Sequence, residues 1–160
     1  MDLSERITLL TQQATTRDEG AASALQAILE ATNTVSGTVH LLEPGGVVMQ
    51  LLAATDIPPV VLDKIRQIPV GKGMGGVAVE KKQPVTTCNL QTDDAGGIIR
   101  QGARATGAQG AVAVPMMVGD QAVGALGVAT KEPRDFSRAE IDHILALASA
   151  LGRGLRSRSQ

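Results

Sequence analysis

The sequence predicts an α+β fold, an antiparallel sheet with helices on both sides. Three observations carry this. Two segments with period-two apolar patterning, Thr38–Ala54 and Gly110–Thr130, each break at a glycine-containing turn and read as hairpins. Both ends of the chain carry apolar residues at helical spacing, and the stretch between the hairpins holds short helical segments. Packing the first two helices and the last on one sheet face leaves the other face to the middle segment. A ligand pocket then falls between the sheet and that segment.

In chain order, Leu3, Ile7, Leu10 and Ala14 define a helix from about Ser4 to Thr16, with Ser4 as a candidate cap. A second helix follows Asp18-Glu19-Gly20 and carries Leu25, Ile28, Leu29 and Thr32 on one face. In the strand Thr38–Leu42, Val39 and Leu41 point one way and Thr38, His40 and Leu42 the other. Glu43-Pro44-Gly45-Gly46 turns the chain into Val47–Ala54. Pro58-Pro59 opens a short helix, Val60–Gln67, because proline is tolerated in a first turn. A short extended piece, a glycine turn at Gly71–Gly76 and a helix over Val77–Lys82 come next, then a short strand Pro84–Thr87, a loop Cys88–Asp94 and a helix at about Gly97–Thr106. The second hairpin runs Gly110–Val118, turns at Gly119-Asp120 and returns as Ala122–Thr130. Ser137 caps a final helix, Arg138–Ser157, with an apolar stripe of Ile141, Ile144, Leu145, Ala148, Leu151 and Leu155. No repeat or linker interrupts residues 1–160, which are expected to form a single domain.

Composition narrows the ligands. The chain has 160 residues, no Trp, no Tyr and one Phe, Phe136, so it lacks the aromatic faces that stack on bases or cage quaternary ammonium ions. Its core must be aliphatic. A net charge of −1 supplies no field toward nucleic acid or an anionic membrane, and neither is expected as a partner. A lone cysteine, Cys88, forms no internal disulfide, which fits a reducing cytoplasm. Charged residues at Asp2, Glu5 and Arg6 are unlike a signal peptide, and no apolar run reaches the roughly 20 residues of a membrane span.

Three stretches together resemble the GAF domain family of small-molecule sensor modules. The first is Ile68-Pro69-Val70-Gly71-Lys72-Gly73-Met74-Gly75-Gly76-Val77-Ala78 followed by Lys82-Gln83-Pro84-Val85. The second is Ala111-Val112-Ala113-Val114-Pro115-Met116 with Gly119 through Val128, and the third is Phe136-Ser137-Arg138-Ala139-Glu140-Ile141-Asp142 with Leu145-Ala146-Leu147-Ala148. Each is weak alone; their order and separation make the set specific over roughly Gly20 to Leu155. The resemblance implies a six-stranded antiparallel sheet, a pocket over one face, and dimerisation through the terminal helices, 4–16 and 138–157.

Such a fold hosts unrelated activities, so the site decides among them. Free methionine-(R)-sulfoxide reductases carry a cysteine in the glycine turn and others in the following loop. Here Gly75 stands at the turn position and the loop holds only Cys88, one thiol where a disulfide relay needs a nucleophilic and a resolving one. The cysteine-histidine pair of bilin-binding members, the Asn-Lys…Phe…Asp-Glu signature of cyclic-nucleotide binders and the cysteine that precedes the Val-Pro strand in nitric-oxide sensors are all missing. Single-domain nitrate receptors, which hold their anion on helix-start amides and work with a histidine kinase, match in length and layout.

The candidate ligand contacts are therefore Met74, Gly75, Gly76 and Val77, the second helix start at Ile98, Ile99 and Arg100, and Met116. Free N–H groups and the positive dipole end suit a small anion, and glycine lets it approach the backbone. The same glycines read equally well as a turn with close packing. Gly71, Gly73 and Gly76 match a dinucleotide spacing, but no parallel strand-helix-strand unit surrounds them. Cys88 reads as a passive side chain without an adjacent cation. Met49, Met74, Met116 and Met117 with Cys88 and His40 suggest a soft-metal set, yet consecutive Met116 and Met117 face opposite sides of a strand, and core packing explains them better. His40 and His143 show no ligand spacing, and Arg153, Arg156 and Arg158 suit the negative end of the last helix.

The sequence thus points to a cytoplasmic, homodimeric, non-enzymatic sensor. It binds a small ligand, such as the anion nitrate, and signals to a histidine kinase or transcriptional regulator, with no catalytic residue, metal or cofactor. The alternatives are a reductase-like enzyme with degenerate cysteines and a ligand-free dimerisation module.

Overall fold

The computed structural model describes residues 1–92 and 106–158. Helices α1 (Leu3–Gln13) and α2 (Arg17–Thr32) precede the hairpin β1 (Ser36–Leu42) and β2 (Val48–Thr55). Then come α3 (Pro59–Ile65), β3 (Gln67–Pro69), α4 (Gly73–Lys81), β4 (Val85–Thr87), the hairpin β5 (Ala111–Val118) and β6 (Gln121–Ala129), and the final helix α5 (Arg138–Arg156). The strands form one six-stranded antiparallel sheet in the order β3-β2-β1-β6-β5-β4. This is the α+β architecture that the sequence predicts.

Capping chemistry places the helix starts. Asp2, not Ser4, caps α1 by accepting from the Glu5 N–H at 2.8 Å, and Thr16 does the same for α2 through the Glu19 N–H. Ser137 and Glu140 form a reciprocal capping box at the start of α5. Arg134 ties the end of α2 to this cap. It donates to the carbonyls of Thr32 and Asn33, pairs with Glu140 and lies 4.4 Å from the Phe136 ring centroid.

The two sheet faces are packed differently. On one face, Val39, Leu41, Val112, Val114, Met116, Leu126 and Val128 join Ile7, Leu25, Ile28, Ile144, Leu147 and Leu151 of α1, α2 and α5 in the main core. The opposite face carries α4, with Val79 packed on Met49 and Ala125. Burying an aliphatic side chain of this kind contributes about 1.5–3 kcal/mol. The large residues of β5 and β6 point to the helical layer, and the small ones, Ala111, Ala113, Ala125, Gly127 and Ala129, lie on the face where the cavity opens.

Helix α4 begins at Gly73, inside the glycine cluster, rather than after it at Val77. Glycine is a poor helix former, so local propensity argues for the later start. Tertiary contact wins here. A Cβ on Gly76 would lie 2.5 Å from the Pro69 carbonyl oxygen, so only glycine lets the first turn of α4 close against β3. The expected helix end at Gln67 is also displaced to Ile65, because Gln67–Pro69 pairs with β2 as the edge strand β3. The helix anticipated at Gly97–Thr106 falls almost wholly outside the described residues.

Candidate functional site

A cavity of about 260 Å³ lies between the small-residue face of the sheet and the layer formed by α3 and the start of α4. Its floor follows the strand register. Ser36, Thr38 and His40 of β1 stand opposite Ala129, Gly127 and Ala125 of β6, and Ala111 and Ala113 of β5 continue the floor. Val39 and Leu41 face the helical core, so alternation turns the three polar side chains of β1 to the cavity side. Ile57, Val61, Ile65, Ile68, Met74 and Leu90 make the walls apolar.

The start of α4 supplies the main polar edge. Gly71 and Gly73 adopt φ of +93° and +68°, a left-handed backbone that favours glycine, and swing the chain so that Lys72, Gly73, Met74 and Gly75 line the cavity. Lys72 is the N-cap, and its side chain offers no acceptor. The N–H of Gly76 reaches the Lys72 carbonyl, but those of Gly73, Met74 and Gly75 have no acceptor among the described residues. Unpaired first-turn amides carry the positive end of the helix dipole. Lys64 and Lys72 both line the cavity and have no ion-pair partner among the described residues. Among the described residues no carboxylate lines it.

His40 is 3% exposed, and its Nε2 lies 2.7 Å from the Ile65 carbonyl oxygen. A carbonyl only accepts, so Nε2 carries the proton. Burial pushes the imidazole below its ordinary value of 6.5, while the hydrogen bond to Ile65 opposes the shift. In the resulting neutral ring Nδ1 is an acceptor. Ser36, 2% exposed, and Thr38 have hydroxyls without a hydrogen-bond partner among the described residues.

Of the residues singled out from sequence, Met74 and Gly75 line the cavity. Gly76 and Val77 follow in α4 but turn away from it; Gly76 packs on Pro69 and Val77 is buried. Met116 is fully buried on the other sheet face, in the core beneath α5, because it shares strand parity with Val112 and Val114. Ile98, Ile99 and Arg100 lie outside the described residues. Cys88 is exposed and does not line the cavity. Ser36, Thr38 and His40 were not among the candidates. Their signal in the sequence is three polar side chains at alternate positions of a strand that is otherwise apolar.

A six-stranded sheet with a helical layer on one face and a cavity beside a glycine-started helix on the other is the architecture of a family of ligand-binding and signalling domains. The GAF-domain family model matches residues 14–156, and the chain belongs to the GAF domain family. The structure resembles the GAF domain of an Acinetobacter phosphoenolpyruvate-protein phosphotransferase, at 17% identity and a TM-score of 0.75 over 97% of this chain and 91% of that one. It is similar also to the free methionine-R-sulfoxide reductase of Neisseria meningitidis in complex with its substrate, at 16% identity and 0.75 over 96% and 86%. The A. aeolicus Nlh2 GAF domain in an inactive state matches at 16% and 0.70 over 98% and 95%. Identities this low carry the fold alone. Among curated proteins no sequence matches.

Proposed function

We propose that this GAF domain is a non-enzymatic receptor that binds a small anionic ligand between the β1–β6 floor and the start of α4, and passes occupancy to a partner protein by contact. The observation that carries the reading is the pairing of three acceptor-less amides at Gly73–Gly75 with two unpaired ammonium groups, Lys64 and Lys72, around a cavity that no carboxylate lines among the described residues. Helix starts of this kind are anion sites. The cavity lies at the small end of the usual range for ligand sites, about 300–1,000 Å³. The absence of Trp and Tyr fits a small ligand better than a planar one.

A disulfide-relay reductase needs a second thiol, and the chain has one cysteine, exposed and away from the cavity. An open cavity beside Met74 also favours a receptor over a module whose pocket its own side chains fill. Partners that fit a receptor role are a histidine kinase or a transcriptional regulator in the cytoplasm, or a second copy of the chain. The stripe on α5 is a poor surface for the second copy, since Ile144 and Leu151 are buried within the protomer.

Thermal denaturation in the presence of inorganic anions, organic acids and amino acids tests the reading. A ligand at 100 times its Kd adds about 2.7 kcal/mol. Stabilisation by one or more anions, lost when Lys72 is replaced by Glu, is expected. No response to any anion overturns the reading.

A further inference from the structure

The cavity is bipolar, and its two ends lie close together. At one end are the amides of Gly73–Gly75 with Lys72. At the other is the β1 row of Ser36, Thr38 and His40. Gly75 stands directly over Ala125, where an added Cβ would be 3.5 Å from the Ala125 Cβ, and Ala125 is the cross-strand partner of His40. Directly opposed residues keep their Cβ atoms about 4.5–5.5 Å apart. The α4 amides and the imidazole are thus close enough for one small molecule to reach both.

The donors and acceptors differ between the ends. The amides and lysines only donate and carry positive charge, which calls for an anion. Neutral His40, with Nε2–H committed to Ile65, presents an acceptor at Nδ1 and calls for a donor on the ligand. Ser36 is nearly fully buried with a partner-less hydroxyl on the same row, so the floor is equipped for a polar group that the protein itself does not supply. Between the ends, Ile57, Val61, Ile65 and Met74 offer apolar walls that a bare inorganic ion leaves unused. Two unpaired ammonium groups, with no carboxylate in the lining among the described residues, disfavour a positive charge on the ligand.

We propose, building on the anion-receptor reading above, that the ligand is a small hydroxycarboxylate: its carboxylate rests on the Gly73–Gly75 amides and Lys72, its hydroxyl donates to Nδ1 of His40, and its short aliphatic body fills the space between.

Calorimetric titration of the full chain tests this with C3–C6 2- and 3-hydroxy monocarboxylates, 2-hydroxy-4-methylpentanoate among them. The controls are its carboxamide, 4-methylpentanoate, leucine and sodium nitrate. At least one hydroxy acid is expected to bind, and its carboxamide, its deoxy analogue and its amino counterpart each to bind about tenfold or more weakly, the size of a lost buried hydrogen bond or charge contact. In His40→Gln the preference for hydroxy over deoxy acid is expected to shrink toward unity. Lys72→Gln, at an exposed position, lowers the affinity of both acids together. Equal binding of 4-methylpentanoate, or a preference unchanged in His40→Gln, overturns the hydroxyl assignment. Binding of nitrate or leucine with no response to any hydroxy acid overturns this proposal and leaves the receptor reading standing, whereas silence across all probes removes both.

Discussion

The buried ring of His40 donates from Nε2 to the carbonyl of Ile65 at 2.7 Å, tying the central strand β1 to the last residue of α3, and both residues line the cavity. The bond holds the ring where burial keeps it neutral. The folded imidazole titrates below its ordinary value of 6.5, whereas in the unfolded chain it titrates near that value. Below 6.5 the unfolded state binds the proton first, so stability rises with pH in this window and falls on acidification. Urea midpoints by circular dichroism are expected to drop from pH 7 toward pH 5, and His40→Gln is expected to lose that part of the dependence. An identical pH slope in the variant excludes His40 as its source. The sequence has no Trp or Tyr, so backbone signal is the practical readout.

Gly75 and Gly76 are neighbours under opposite constraints. An added Cβ at Gly75 meets only Ala125 at 3.5 Å, an ordinary contact, and its backbone is not left-handed. At Gly76 the same atom meets the Pro69 oxygen at 2.5 Å and the Gly71 nitrogen at 3.1 Å, both main chain and unable to yield. Gly75→Ala is expected to raise stability by about 0.5–1 kcal/mol through helix propensity. Gly76→Ala is expected to lower it by about 1–3 kcal/mol through overpacking. Denaturant midpoints of the two variants decide the matter. A larger side chain, Gly75→Ile, should leave a folded protein that no longer binds the ligand, since it projects into the cavity between Met74 and Ala125.

That contrast marks what could be read from the sequence. The glycine cluster stands out as a site, but whether a given glycine admits a ligand, a strand or neither depends on what packs against it, and that neighbour is the Pro69 main chain in one case and only the Ala125 methyl in the other. The hairpins, the cap at Ser137 and the α5 stripe were legible because they rest on contacts local in sequence or on simple periodicity. The facing of β5 was not. Both of its faces are buried from Ala111 to Met116, so hydropathy does not alternate. Side-chain size does, with Ala111 and Ala113 against Val112 and Val114, and that alternation separates the cavity face from the core face and sends Met116 to the latter.

The fate of the α5 stripe yields a further expectation. Ile144 and Leu151 are 1% and 0% exposed and pack against the sheet and α1. Truncation of either to Ala is expected to cost about 2–5 kcal/mol, through lost transfer energy and the cavity left behind. A charge at Leu151, as in Leu151→Asp, should abolish the cooperative thermal transition rather than yield a folded protein of altered solution mass. Sedimentation equilibrium paired with circular dichroism separates the outcomes. A folded Leu151→Asp chain of smaller mass than the parent is the result that would restore an interface role to this stripe.

Near the end of the chain, Arg158 fastens α1. Its Nη1 donates to the carbonyls of Thr11, Gln12 and Ala14 and its Nη2 to that of Thr15, meeting the carbonyl groups that a helix C-terminus leaves unsatisfied. A cation at that end also complements the helix dipole. Helices α1 and α5 already pack closely at Gly154, where an added Cβ would collide with the Thr11 hydroxyl and lie 3.0 Å from the Thr8 carbonyl oxygen, so the guanidinium closes a contact that glycine makes possible. One buried group, the Arg158 Nε, has no partner, which offsets part of the gain. Arg158→Met is expected to cost about 1–3 kcal/mol, the range for hydrogen bonds to a charged group. Because the four acceptors sit at the end of α1 and in the turn beyond it, the loss should be local. Hydrogen exchange is expected to quicken across Leu3–Gln13 while β5 and β6 keep their protection. Uniform acceleration over the whole chain would instead mean that α1 and the sheet open as one unit, with Arg158 contributing to global stability and not to the docking of α1.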